Sequence, residues 1–247
     1  MYRHKLIILL AVALVSLPLA LAHAQEVVEE PQAGIGGGGM TVTLLFLDLS
    51  GLNQILETNG YRPLDNMVFL TGGGGFGGGV KNLRFGGLGA GGEVSSIQGE
   101  KMAKLSIGFG GFMIERGLIA KEHYSLSAGV VIGGGGADLT LLDHRSASFE
   151  DAIANPPSTR LTRGFFAIET YIGAELALLD WLMLKVNLGY LWTFGEPWKQ
   201  EGLPLLGPPE SFNAPLAQFM ITFGGRAEPE EERAVIEGKL LEQGEFI

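Results

Sequence analysis

The sequence predicts a mainly β protein: an antiparallel meander of about eight or nine strands, closing as a barrel, with one short helix after the first strand. Three observations predict it. Apolar and polar residues alternate with period two through most of residues 40 to 225, glycines cluster within and between the alternating runs, and no stretch beyond residue 24 is long and apolar enough for a membrane helix. Of the 247 residues 39 are Gly, 46% are hydrophobic and 18% charged, a balance that supports a packed core or a lipid-facing wall and not a disordered chain. There is no Cys, which removes disulfide frameworks, thiolate metal sites and thiol nucleophiles.

At the amino terminus, Arg3 and Lys5 precede an apolar run from Leu6 to Leu21, and Ala22-His23-Ala24 offers a small-x-small cleavage site. Residues 1–24 are therefore expected to be a secretory signal peptide, with Ala22 and Ala24 as the small residues and Gln25 as the new terminus. A retained anchor is the alternative, disfavoured by the shortness of the run and the acidic residues that follow it. Removing Arg3 and Lys5 from the 17 basic residues leaves 15 against 27 acidic ones, a net of −12. Such a charge argues against nucleic acid as a partner.

Residues 25–39 read as an acidic and then glycine-rich leader. From Met40, the residues Val42, Leu44 and Phe46 share one parity with Met40, and Thr41 and Thr43 the other, as alternate faces of a strand require. Leu52, Ile55 and Leu56 then take helical spacing, with Asp48 or Ser50 as N-cap and Gly60 as a stop. Between Gly72 and Gly136 stand 22 glycines in 65 residues. Each Gly in an element interior costs about 0.5–1 kcal/mol relative to Ala, so bare backbone must be needed there, for close approach of packed elements or for sharply coiled strands in a small barrel.

Alternation continues through Leu105 to Met113, Tyr124 to Ile132 and Phe166 to Leu176, where Glu169 and Glu175 lie on the face opposite the apolar one. The clearest strand runs from Trp181 to Phe194: Leu182, Leu184, Val186, Leu188, Tyr190, Trp192 and Phe194 oppose Lys185, Asn187, Gly189 and Thr193. A last strand holds Ala217, Phe219, Ile221 and Phe223. Loops are expected over 152–162 and 195–215, where prolines gather, and residues 226–247 form an acidic tail with weak helical amphipathicity. The domain expected is thus 40–225.

Several strands exceed the roughly 9–11 residues that a bilayer-spanning strand needs. Trp181, Tyr190, Trp192 and Phe194 are placed as membrane-interface aromatics, and Glu169, Glu175 and Lys185 as polar residues of a lumen. Those features favour an outer-membrane-like barrel in contact with membrane lipid, in the outer membrane or cell envelope. The alternative is a soluble exported β-sheet module that holds an apolar ligand, periplasmic or extracellular, since a soluble antiparallel sheet alternates in the same way.

Catalytic and cofactor chemistry finds little support. Matches to G-x-G-x-x-G are expected by chance in so glycine-rich a stretch, and none leads into a helix with Lys-Ser/Thr. His123 and His144 lack metal-motif spacing. Glu169 and Glu175 are six strand residues apart, about 20 Å, too far for a glycosidase pair. No enzyme, metal or cofactor is expected.

Asp48-Leu49-Ser50 with Asn53, Gly60 and Tyr61, the block Gly72 to Gly79, Leu83-Arg84-Phe85-Gly86-Gly87, Gly133 to Gly136, Gly189-Tyr190-Leu191-Trp192 and Gly207-Pro208-Pro209 with Phe212, Asn213 and Pro215 give the chain an order and spacing of its own. In these it resembles an uncharacterised family of glycine-rich exported bacterial envelope proteins, over about residues 34 to 225. The resemblance implies a β-barrel-like fold and carries no activity and no site residues.

Overall fold

The computed structural model describes residues 34–79, 82–121, 123–154 and 157–227. The expected signal peptide with its cleavage site, residues 25–33 of the leader and nearly all of the acidic tail lie outside the described residues.

Eight strands form the wall: β1 (Gly34–Phe46), β2 (Met67–Gly79), β3 (Leu83–Gln98), β4 (Lys101–Ala120), β5 (Tyr124–Leu142), β6 (Ser158–Leu179), β7 (Leu182–Gly195) and β10 (Ala214–Ala227). Each pairs antiparallel with its chain neighbour from β1 to β7, β7 pairs with β10, and β10 pairs with β1, so the sheet closes on itself. Two three-residue strands, β8 (Trp198–Gln200) and β9 (Leu203–Leu205), form a hairpin that touches the wall where Lys199 pairs with Thr162 of β6. Closure leaves no free edge on the eight-strand wall, which is how an antiparallel sheet avoids unpaired backbone groups.

The strand bounds differ from expectation at several places, at β1 because glycine erases alternation. β1 begins at Gly34, inside the expected leader, because Gly34 to Gly39 pair on one side with Gly79 to Gly74 and on the other with Ala227 to Thr222. β6 begins at Ser158, inside an expected loop, since its first residues pair with the end of β5. The expected 195–215 loop contains the β8–β9 hairpin. Trp181 stands in the two-residue turn before β7, not within the strand.

The two ends of the barrel are unlike. One end carries both described termini and the short connections β2–β3, β4–β5 and β6–β7. The other carries the β3–β4 turn and the long connections 47–66, 143–157 and 196–213, which include α1 (Ser50–Thr58) and α2 (Phe149–Ala154). At this loop end the inward residues are apolar: Leu45, Leu70, Leu105 and Leu191 are fully buried, and Leu52 and Leu56 of α1 complete the same cluster from above. α1 is tied to its own loop, where Asn53 accepts from the Leu64 N–H and donates to its carbonyl.

The glycines divide into two groups by parity. At inward positions such as Gly39, Gly72, Gly86 and Gly133, an added Cβ would fall on the backbone of the neighbouring strand, far inside 3.0 Å. Here bare backbone is imposed by the coiling of the strands, one of the two expected explanations. At outward positions the crowding is mostly less: Gly77 and Gly164 have nothing within 4 Å, and at Gly89 and Gly91 the nearest atoms lie 3.8 and 3.7 Å away.

Candidate functional site

The lumen at the short-turn end is charged. Arg84 of β3 is the register partner of Glu115 on β4, and Glu175 of β6 is the register partner of Lys185 on β7. These two cross-strand pairs sit on different stretches of the wall and meet across the lumen. Arg84 Nη1 donates to Glu115 Oε1 at 2.9 Å and to Glu175 Oε2 at 2.8 Å, and Lys185 Nζ bridges Glu115 Oε2 and Glu175 Oε1, the latter at 3.2 Å. Every cation therefore touches both carboxylates. Ser125 of β5 donates to Glu175 Oε2 at 2.7 Å, and the Tyr171 hydroxyl of β6 donates to Glu115 Oε2 at 2.8 Å. The Phe76 ring of β2 lies against both cations, 5.7 Å from the Arg84 guanidinium carbon and 4.6 Å from Lys185 Nζ.

All four charged groups are buried. Ions taken out of water need paired partners and saturated hydrogen bonds, and the alternating arrangement supplies both. One row nearer the loop end, Asn187 donates to Gln218, which donates to Thr43, a polar chain through β7, β10 and β1. Beside it Gly173 leaves room where Asn187 Oδ1 and Ser127 Oγ converge, 2.5 and 2.9 Å from the position a Cβ would take. Two positions before Tyr171 on β6, Glu169 is 1% exposed and neither of its carboxylate oxygens has a hydrogen-bond partner among the described residues. Among those residues no three His, Asp or Glu gather as a metal-ligand set.

Glu175 and Lys185, expected to line a lumen, do face the interior and touch; Glu169 faces it too, apart from their network. The charge is buried and not solvated, because the narrow interior of an eight-strand barrel is filled by its own side chains. Sequence reasoning did not single out Arg84 and Glu115. The available signal was parity: Arg84 alternates with Leu83 and Phe85, and Glu115 with Ile114 and Arg116, so both take inward positions in their strands.

The exterior is the reverse. Along β7 the outward residues are Leu182, Leu184, Val186, Leu188, Tyr190, Trp192 and Phe194, while Met183, Lys185, Asn187, Leu191 and Thr193 are buried. On β6, Phe166, Ile172 and Leu176 are exposed, and on β10, Phe219, Ile221 and Phe223. Of the expected interface aromatics, Tyr190 and Trp192 pack together on this outer face with ring centroids 4.5 Å apart, and Phe194 is exposed at the loop end of β7. Trp181 is exposed at the short-turn end, stacked on Phe223 at 6.2 Å. Towards the loop end the outward positions turn charged, with Lys104 paired to Glu93 and Arg160 to Asp138.

No protein-family model matches the chain, and no curated protein matches it. Among solved structures it is similar to Ail, the attachment invasion locus protein of Yersinia pestis. In complex with the heparin analogue sucrose octasulfate, that protein aligns with a TM-score of 0.44 at 10% identity, over 80% of this chain and 99% of the other. A second structure of Ail gives a TM-score of 0.35 at 12% identity over the same shares. The closed barrel described above follows from the strand pairing alone.

Proposed function

We propose that the protein is an exported, non-enzymatic β-barrel of the outer-membrane type, which holds three long loops at one face of a bilayer and does not conduct through its lumen. The observation that carries this reading is the inversion of polarity: large apolar side chains face outward around the wall while Arg84, Glu115, Glu175 and Lys185 are buried within. A bilayer rewards that arrangement and water penalises it. A soluble module holding an apolar ligand would present its apolar parity to an enclosed cavity; here that parity faces out on β6, β7 and β10, while on β4 Leu105, Ile107, Phe109 and Met113 face in. Among the described residues no helix is long and apolar enough to cross a membrane, so spanning would be done by the strands.

Short turns at one end and long loops at the other match the usual division between the periplasmic and outer faces of such barrels. The expected signal peptide agrees with export. Of the two roles open to a small barrel, a structural one is favoured over passive transport because side chains fill the lumen from the ionic cluster to the apolar layer under α1. The same burial keeps the charged groups away from any substrate.

Cell fractionation tests the location and reconstitution the role. The protein is expected to stay with the membrane after a carbonate wash, to migrate differently on a gel before and after boiling, and to leave vesicles impermeable to small sugars. Release into the soluble fraction would overturn the membrane reading. Leakage scaling with the amount of inserted protein would replace the structural role with transport.

A further inference from the structure

Resting on that membrane reading, we infer that the loop end is a docking surface for a basic, amphipathic polypeptide segment. Its long connections are fixed to one another and to the wall. Lys101 Nζ donates to the Asn59 carbonyl at 3.0 Å, Ser96 Oγ donates to the Arg62 carbonyl at 2.6 Å, and the buried Arg163 donates to the carbonyls of Pro209 and Glu210. Asn213 accepts from the Thr193 N–H, and Pro208 rests against α1, so close that a Cβ on Gly51 would lie 3.0 Å from its ring. A platform so pinned has little conformational entropy to lose on binding.

Large apolar side chains stand out from this platform. Leu206, two residues before the Pro208 contact, is 98% exposed, Leu203 on the adjoining hairpin 71%, and Ile55 on the outer face of α1 48%. In a bilayer-embedded barrel, exposed apolar groups on the wall are covered by lipid. These three belong to connections beyond the eight strands of the wall, where water is the alternative, and exposed apolar groups of this size at such a place mark an interaction surface.

The charge around them selects the partner. Asp48, Glu57 and Glu210 are exposed on the same two segments, α1 with its entry and the loop that rests on it. Across the loop end Lys101, Lys104, Arg160 and Lys199 are paired with Asp143, Glu93, Asp138 and Glu196, which leaves the exposed Arg62 and Arg145 against a larger set of exposed carboxylates that includes Asp48, Glu57, Asp65, Glu100, Glu150, Glu201 and Glu210. A segment that offers apolar residues on one face and Lys or Arg beside them satisfies both features, whereas a sulfated or phosphorylated polymer meets like charge.

The test uses the full chain in nanodiscs of zwitterionic lipid, with empty nanodiscs as the blank and a helical peptide of Leu and Lys as the probe. A Leu and Glu peptide of the same length and heparin serve as competitors. The Leu and Lys peptide is expected to bind the loaded nanodiscs, and to bind roughly tenfold more weakly at high ionic strength, as a charge-steered contact does. The triple variant Ile55→Ser, Leu203→Ser, Leu206→Ser alters only exposed groups and is expected to weaken binding by about tenfold as well. Equal or tighter binding of the acidic peptide or of heparin would overturn the proposal, as would unchanged binding by the triple variant. Heat-modifiable migration of the same samples reports separately on the barrel, so a failure of the membrane reading shows itself there.

Discussion

Tyr171 of β6 lies over the bare Cα of Gly129, its register partner on β5, so that a Cβ on Gly129 would fall on the ring's Cζ and hydroxyl oxygen, well inside 3.0 Å. On its other side Tyr171 pairs with Gly189 of β7, where a Cβ would meet the Tyr171 Cβ at 2.9 Å. Phe165 repeats the arrangement between Gly135 and Gly195. An aromatic ring laid over a glycine shields backbone that has no side chain of its own, and it steers the Tyr171 hydroxyl onto Glu115.

Gly129→Ala is accordingly expected to displace Tyr171 and lower stability by about 1–3 kcal/mol, the usual cost of overpacking. Gly72→Ala, whose Cβ would meet unyielding backbone of β3, should cost as much or more. Gly164→Ala, with nothing within 4 Å, should stay within about 0.5 kcal/mol of the wild type. Urea unfolding from lipid vesicles, followed by tryptophan fluorescence, measures all three. Equal losses at Gly72 and Gly164 would sink the division of the glycines into coiling and non-coiling positions.

The ionic cluster should behave as one unit. Glu115→Gln leaves Arg84 and Lys185 sharing a single carboxylate and is expected to cost about 3–5 kcal/mol, since a buried charge loses its partner. Removing a whole cross-strand pair, Arg84→Leu with Glu115→Leu, should cost less than the sum of the two single changes by at least about 1 kcal/mol. A double-mutant cycle on the same unfolding transition gives the coupling, and strict additivity would contradict the contacts described.

A charge on the outer wall is predicted to behave oppositely to one in the lumen. Leu188→Lys, on the outward parity of β7, should destabilise the inserted protein by about 2–4 kcal/mol if it lies near the bilayer midplane. Three residues earlier Lys185 is accommodated because it points inward to two carboxylates. If Leu188→Lys inserted with unchanged stability and no loss of yield, the β7 face would not be in lipid.

At the loop end, Lys101 at the start of β4 meets Asp143 of the β5–β6 connection at 2.9 Å. The hydrogen bond from Lys101 holds the Asp143 carboxyl below its usual 3.8. A depressed carboxyl contributes stability that is fully present above pH 3.8 and is lost as pH falls through its folded value. Ordering of the 59–62 segment should therefore be flat above pH 3.8 and fall below it, read as faster amide exchange at Tyr61 beyond the intrinsic pH dependence. Lys101→Met should remove that acid limb.

Much of the architecture could be read from residue order. Alternation in β7 identified its outward and inward faces, of the helically spaced Leu52, Ile55 and Leu56 the first and last are buried while Ile55 is exposed, and Glu175 and Lys185 stood on the polar parity. Period two is a local property of a strand, so a single chain displays it. Where glycine replaces both parities the signal vanishes, which is why Gly34 to Gly39 read as a leader and became half of β1.

Tertiary structure alone decided what the polar parity does. Arg84 and Glu175 lie 91 residues apart and meet at 2.8 Å only because the closure of β10 on β1 carries β3 and β6 around one narrow lumen. Parity says that a side chain points inward; strand order, register and closure decide which others it meets there. In a cylinder too narrow for bulk water, the meetings of Arg84, Glu115, Glu175 and Lys185 are ion pairs and hydrogen bonds, because an inward charge left alone would cost several kcal/mol.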